Sequence, residues 1–433
     1  MRYWSAMSDI VKLYKDIAER NNAVGDGFCV LKWWHLEMHL GTGNYHSCFH
    51  CPQQNLKLGE DIHNTLHKMQ QRKTMLRGGR PEECSYCWKA EDAGAVSPRT
   101  TLSAIYTEMQ PDIIETTASL EWDEYVYPKY LEMSFSNTCQ MKCSYCAPSL
   151  SSTLLKEIKD MGAYPLKDPE SRGQYELNGT EELYKDDNNP LVKKFWSWFD
   201  TAIEHLDTLR ITGGEPLLHK GMFDMLEYLK NSPHDINFHV NSNLSISNRR
   251  VKQTCDLLPS KSKVYASVDT YGKQAEWIRH GLDWELFEEN VLTVIDHGIP
   301  ISFMTTFCLL SIPNFKDFLY YVIQLKDIGD VKIDTPFMTN PPHLSCLIMD
   351  DKMRDMLEDS YQFMVENSEF NEAEVIKFER VLKWVDNNRY TGERLNRHRR
   401  DFKTFVDEHD KRRGSNWHDA FPELKYFYEL CDV

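Results

Sequence analysis

Cys139, Cys143 and Cys146 fall in the run Cys139-Gln140-Met141-Lys142-Cys143-Ser144-Tyr145-Cys146, a CxxxCxxC spacing. Three thiolates this close on one loop can hold three corners of a cubane iron–sulfur cluster. Three ligands for four irons leave one iron with an open position, as a catalytic metal has and a structural one does not. The same spacing also fits a zinc knuckle lacking its fourth ligand. A second feature, Gly213-Gly214-Glu215-Pro216, follows the strand-like run 206–212. Its glycines let the backbone come close to a ligand, and Glu215 can accept from an ammonium.

A second set of cysteines lies upstream. Cys29, thirteen residues, Gly43, four residues, Cys48, a 35-residue gap and Cys84-Ser-Tyr-Cys87 make the pattern C-x13-G-x4-C followed by CxxC. Four cysteines can fill every iron of a cluster and leave no open position. Cys51 creates a competing Cys48-x2-Cys51 pair, which with Cys84-x2-Cys87 makes a four-cysteine structural zinc site. His46 and His50 are spare ligands for either. Cys255, Cys308, Cys346 and Cys431 read as buried thiols that pack like small hydrophobes.

The CxxxCxxC with Tyr145 before its third cysteine, taken together with Gly213-Gly214-Glu215-Pro216, resembles the radical S-adenosylmethionine (SAM) superfamily. Ala266-Ser267-Val268-Asp269 and Ile278-Arg279-His280-Gly281 extend the likeness to its SPASM/twitch branch. The resemblance implies that Cys139, Cys143 and Cys146 bind a [4Fe–4S] cluster and that Tyr145 borders the adenine of SAM. The backbone at Gly213, Gly214 and Glu215 would take the methionine amino group, and Ser267 would contact the ribose. Arg279, twelve residues after Ser267, would pair with the carboxylate, for which its planar fork is suited. Where relatives carry Thr-Asn-Gly after strand three, this chain has Asn241-Ser242-Asn243. The upstream cysteines resemble the twitch module, with Cys29, Cys48, Cys84 and Cys87 on an auxiliary [4Fe–4S] cluster. In familiar relatives that module follows the barrel, whereas here it precedes it.

The implied activity is reductive cleavage of SAM to methionine and a 5′-deoxyadenosyl radical that takes a hydrogen atom from a substrate. In this branch the substrate is most often a peptide or protein. A small metabolite, nucleoside or sugar is the second reading, and a metal-binding interaction protein without catalysis is the third. A flavodoxin or ferredoxin is the expected electron donor. No side chain is singled out as catalytic acid, base or hydrogen donor.

The elements that must position these residues alternate. Strand-like runs lie at 129–135, 207–212, 235–241, 262–268, 300–307 and 330–335, with helical patterns at 190–205, 219–231, 284–297 and 315–326. This is an α/β arrangement, expected as a partial (β/α)6 barrel of the radical SAM type with ligands at the C-terminal ends of its strands. Its expected bounds are 125–345. Residues 1–115 form an N-terminal helix and the twitch-like module. Residues 346–433 form a helical extension with patterns at 351–366, 370–388, 396–410 and 419–430. The polar stretch 167–189 reads as a loop or lid.

The 433 residues carry a net charge of −16, which opposes nucleic-acid binding. Arg394, Arg397, Arg399, Arg400, Lys403, Lys411, Arg412 and Arg413 form a local basic run, but interleaved carboxylates make it read as a solvated helical face. No apolar run is long enough to span a bilayer. The first 22 residues mix charges among apolar positions and read as a surface helix rather than a signal peptide. Twelve cysteines then point to metal binding in a reducing, cytoplasmic setting.

Overall fold

The cysteine-rich part of the chain contains strands that its sequence conceals. His35-Leu36-Glu37-Met38-His39 alternates polar and apolar residues and forms β1 (His35–His39). β1 pairs antiparallel with β2 (Asn44–His46), which pairs in turn with the short β3 (Gln54–Asn55). On its other edge β1 runs parallel to β4 (Tyr130–Ser134), with Glu37 opposite Glu132. Leu36 and Met38 are buried, while Glu37 and His39 share the opposite face because side chains alternate along a strand.

The computed structural model describes residues 2–177 and 189–432, with side chains from residue 11 onward. The chain divides into two compact units, Met1–Ser134 with Leu183–Arg210, and Phe135–Glu182 with Ile211–Val433. The first unit is cored by Ile17, Phe28, Trp33, Met75, Tyr106 and Ile114. Ile17 belongs to the helix Arg2–Val24, which therefore buries one stripe, and Arg20 ties that helix to Glu115 at 2.7 Å.

In the rest of the chain the two-residue β5 (Lys142–Cys143) is followed by β6 (Thr208–Thr212), β7 (Asn237–Ser242) and β8 (Ser262–Ser267). β9 (Arg279–His280) returns to pair antiparallel with β5. β10 (Ile301–Met304) and β11 (Val331–Asp334) complete the set. β7, β8, β10 and β11 pair in that order, all parallel. The helices Asn248–Cys255, Trp284–Asp296 and Phe315–Lys326 connect them, as parallel strands require. β11 ends the sheet, so these strands form an open array rather than a closed barrel.

Phe238, Val240, Val264, Ala266, Phe303 and Ile333 are buried on one face. The other face presents half-buried polar side chains, among them His239, Asn241, Tyr265 and Ser267. The expected C-terminal helices are present as Asp351–Glu366, Glu372–Asn388, Gly392–Arg413, Trp417–Ala420 and Lys425–Leu430. They are packed onto the α/β unit. Glu374, at the start of one, accepts from Lys326 at 3.0 Å and from the backbone N–H of Ile333 at 2.9 Å.

The stretch expected as a loop or lid divides into two parts. Residues 178–188 lie outside the described residues. Residues 167–177 are anchored: the backbone N–H groups of Lys167 and Asp168 donate to Asp401 at 2.8 and 2.9 Å, and Asp168 caps the helix Pro169–Gly173. No described helix is long and apolar enough to cross a membrane.

Candidate functional site: a three-cysteine loop and a second cysteine pocket

The CxxxCxxC loop leaves β4 and is pinned from behind by the helix Ser152–Met161. Ser151 caps that helix and donates to the Met141 carbonyl at 2.6 Å, and Ser152 Oγ receives the Cys139 N–H at 3.1 Å. Tyr175, in the anchored insertion, donates to the Ser144 carbonyl at 2.6 Å, and Gln174 to the Tyr145 carbonyl at 2.8 Å. The three cysteines are half-buried residues whose thiols are near enough to act on one another. Burial pushes the Cys139 thiol up to about 12, and burial with the neighbouring Cys143 and Cys139 raises Cys146. Thiols held protonated by burial and by one another are a donor set that a bound cation deprotonates. The Met141 N–H lies 3.4 Å from Cys139 Sγ, a contact of the kind that tunes a cluster's potential.

The glycine turn meets this loop directly. The Glu215 N–H donates to the Thr138 carbonyl at 2.7 Å. Gly213 and Gly214 have φ of 77° and 54°, and a Cβ on Gly214 would stand 2.4 Å from that same carbonyl oxygen. Glycine is required there by both backbone sign and space. The Glu215 side chain turns inward instead of toward a ligand. It is 1% exposed and accepts from Ser242 Oγ at 2.9 Å, the Asn243 N–H at 2.7 Å and the Leu217 N–H at 3.1 Å. The ammonium expected for this carboxylate is thus replaced by three protein donors. Burial nevertheless raises Glu215 to about 7.

The Asn241-Ser242-Asn243 segment, which departs from the family's usual Thr-Asn-Gly, supplies two of those donors. Asn243 also exchanges hydrogen bonds with Gln140, at 3.0 and 3.3 Å, joining the end of β7 to the cysteine loop.

The β5–β9 pair brings Arg279 to the cluster loop, with Cys143 and Arg279 in register. Arg279 Nη1 lies 3.9 Å from Cys143 Sγ. Its Nε and Nη2 grip Asp269 at 2.8 and 3.2 Å. Asp269 also accepts from Tyr145 Oη at 2.9 and 3.0 Å and from the Thr306 N–H at 3.0 Å. The guanidinium lies 5.6 Å from the Tyr145 ring centre. Tyr145 and Arg279, expected at opposite ends of one ligand, are therefore joined through a residue that sequence reasoning gave no role. The available signal was its place two residues beyond Ser267, which ends β8 half-buried.

The upstream cysteines converge as well. Cys29, Cys48, Cys51, Cys84 and Cys87 line one small pocket, together with His50. Cys51 Sγ lies 3.5 Å from Cys48 Sγ and 3.8 Å from Cys84 Sγ. Lys32 Nζ stands 3.9 Å from Cys51 Sγ and is paired with Glu83. Burial, with the nearby Cys87 and Cys48, raises Cys29, and burial raises Cys87 to about 11. Five thiols around one pocket suit a cluster or a thiolate-bound metal. His46 is directed elsewhere: its Nδ1 is bonded to the Cys51 carbonyl.

The basic run on Gly392–Arg413 is largely occupied inside the fold. Arg413 binds Glu157 and the Lys142 carbonyl, Arg399 binds the Ile348 and Met349 carbonyls, and Arg397 pairs with Asp168. These are tertiary contacts, with helical i,i+4 pairing kept by Arg412 and Glu408. Cys255, Cys308, Cys346 and Cys431 are buried, as expected.

No curated protein matches the chain. Among solved structures it is similar to native anSMEcpe with bound AdoMet, at 16% identity and a TM-score of 0.37, over 55% of this chain and 60% of that one. It is also similar to Streptococcus suis SuiB bound to S-adenosylmethionine, at 12% identity and a TM-score of 0.40, over 77% of this chain and 69% of that one. SuiB bound to the precursor peptide SuiA gives 12% identity and a TM-score of 0.39, over 77% and 70%. The chain thus spans about 60% of the length of anSMEcpe. The family model that matches is the Radical SAM superfamily, over residues 133–319, which contains the cysteine loop, the glycine turn, Ser267, Asp269 and Arg279. The family likeness is therefore one of residues 133–319.

Proposed function

We propose that this chain is a radical SAM enzyme of the SPASM/twitch branch that abstracts a hydrogen atom from a peptide or protein substrate. The observation that carries the reading is the junction of the cysteine loop with the glycine turn, closed by the 2.7 Å bond from Glu215 N–H to the Thr138 carbonyl. Cys139, Cys143 and Cys146 would hold a [4Fe–4S] cluster, with SAM bound beside it. Bound together, the two supply one-electron cleavage of SAM and a hydrogen-abstracting 5′-deoxyadenosyl radical. The protein's part is orientation. Gly213 and Gly214 present backbone to the methionine amino group, Tyr145 borders the adenine and Ser267 the ribose. Asp269 takes two arms of the Arg279 fork and leaves Nη1 for a carboxylate. Glu215 acts from behind, fixing the end of β7 against the turn.

Cys29, Cys48, Cys84 and Cys87 would hold an auxiliary [4Fe–4S] cluster. A zinc site of Cys48, Cys51, Cys84 and Cys87 is the second reading, favoured by the short contacts of Cys51. The peptide assignment rests on the branch that the motifs resemble; a small metabolite, nucleoside or sugar is the other substrate class. A flavodoxin or ferredoxin would deliver the electron.

The test is deoxyadenosine release by anaerobically reconstituted protein with SAM and reductant, in the presence of size-fractionated cell lysate. Stimulation by the macromolecular fraction supports a peptide or protein substrate. Stimulation by the small-molecule fraction alone overturns it.

A further inference from the structure

We propose that Glu37, His39 and His46 form a mononuclear divalent-metal site of the two-histidine, one-carboxylate kind, distinct from both cysteine sets. One ligand atom from each of the three lies within 4.8 Å of the other two. The β1–β2 hairpin creates the grouping. Glu37 is opposite His46 in the antiparallel register, and His39, two residues along β1, shares the face of Glu37. The His39 and His46 rings are 5.9 Å apart, and His39 Nε2 is 3.5 Å from Glu37 Oε1.

The second observation concerns what these atoms lack. His46 is 8% exposed, and its Nδ1 lies 2.8 Å from the Cys51 carbonyl oxygen. A carbonyl only accepts, so Nδ1 is the donor and Nε2 is the nitrogen available to a ligand. That Nε2 is buried with no hydrogen-bond partner, and so is Glu37 Oε2. Two buried polar atoms without a hydrogen-bond partner, on two residues whose ligand atoms converge, fit a bound cation. An imidazole whose far nitrogen donates to a backbone carbonyl is the usual arrangement of a metal-bound histidine, because that bond fixes tautomer and ring angle.

The neighbours define the set. Glu132, opposite Glu37 on β4, is held by Tyr130 Oη at 3.2 Å and lies 3.7 Å from Arg210, so it is not a ligand. His35 stacks on Tyr130 at 4.7 Å. Two neutral imidazoles and one carboxylate suit Fe2+, Mn2+ or Zn2+ better than Mg2+ or Ca2+, and three protein ligands leave open positions for water or a substrate oxygen. The proposal does not depend on the SAM chemistry, and its readout is binding rather than turnover.

The test is titration of Mn2+ into the anaerobically reconstituted holoprotein, followed by the loss of the free Mn2+ electron paramagnetic resonance signal. Mn2+ has little affinity for thiolates, and oxidised [4Fe–4S] clusters are diamagnetic. The wild type should bind about one Mn2+ per chain, with Glu37→Gln and His46→Ala each weakening it about tenfold or more while iron and sulfide content stay unchanged. Glu132→Gln, which removes a charge from the same face but no ligand, should retain binding. If either buried-site variant fails to fold, His39→Ala at its half-buried position tests the same set. Absence of Mn2+ binding by the wild type overturns the proposal, as does binding that the ligand variants leave unmoved. An effect of these variants on substrate KM alone, with no metal bound, would also overturn it and assign the trio to a polar substrate pocket.

Discussion

Arg279 stands across β5–β9 from Cys143, with its Nη1 3.9 Å from the thiol sulfur and its other two nitrogens on Asp269. Strand register therefore fixes a cation beside the loop expected to carry the cluster. Asp269 is fully buried, and breaking a buried pair leaves an uncompensated charge. Asp269→Asn should lower unfolding stability by about 3–5 kcal/mol in a denaturant titration. A loss below about 1 kcal/mol would mean that the pair is solvated or dispensable.

Arg279→Lys keeps the charge but not the fork. Cluster content should be retained, while SAM affinity falls about tenfold or more, as expected for losing a charged hydrogen bond. Equilibrium binding of SAM to the reconstituted variant checks this. Unchanged affinity would assign Arg279 to the cysteine loop alone.

Gly214→Ala places a Cβ 2.4 Å from the Thr138 carbonyl, at a φ of 54°. Backbone cannot yield there as a side-chain tip could. The left-handed conformation alone costs about 1–2 kcal/mol for a residue with a Cβ. The variant should fold with the glycine turn displaced from the cysteine loop, seen as reduced SAM binding. Wild-type binding would show that the turn tolerates the shift.

Glu215 carries a pH dependence of definite sign. Burial raises it to about 7 from an ordinary value of 4.5, so the folded chain holds a proton that the unfolded chain releases between those limits. Its contribution to stability is complete below about 4.5 and is lost as pH rises through about 7, a change of order 3 kcal/mol. Glu215→Gln removes the titration and should flatten the stability profile between pH 5 and pH 8, about the range of the shift. A profile as steep as that of the wild type would place the dependence on another group.

Much of this was readable beforehand because the relevant signals are local. The runs 129–135, 262–268 and 330–335 became β4, β8 and β11 within two residues of their ends, since alternation and flanking turns are short-range features. β1 was missed because His35, Glu37 and His39 look like loop chemistry, and its parallel partner β4 is far along the chain. The role of Asp269 is illegible for a related reason. It comes from a partner that only the tertiary fold supplies, Arg279. Spacing grouped Cys29, Cys48, Cys84 and Cys87, with Cys51 as a competing ligand, but it could not place Cys51 Sγ 3.5 Å from Cys48 Sγ and 3.8 Å from Cys84 Sγ.

Iron content separates the two readings of the upstream pocket. With an auxiliary cluster, the wild type should hold about eight irons per chain and Cys84→Ala about four, while Cys51→Ala keeps about eight. A zinc site gives about four irons and one zinc in the wild type, with zinc lost in both variants.

The central claim is that Cys139, Cys143 and Cys146 support SAM cleavage. It is tested most directly by deoxyadenosine formation in anaerobically reconstituted wild type and Cys143→Ala, with SAM and dithionite. The account predicts steady release by the wild type and none above background by the variant, with the upstream metal content preserved. Equal release by both proteins, or none by a wild type that holds its full iron, would contradict it.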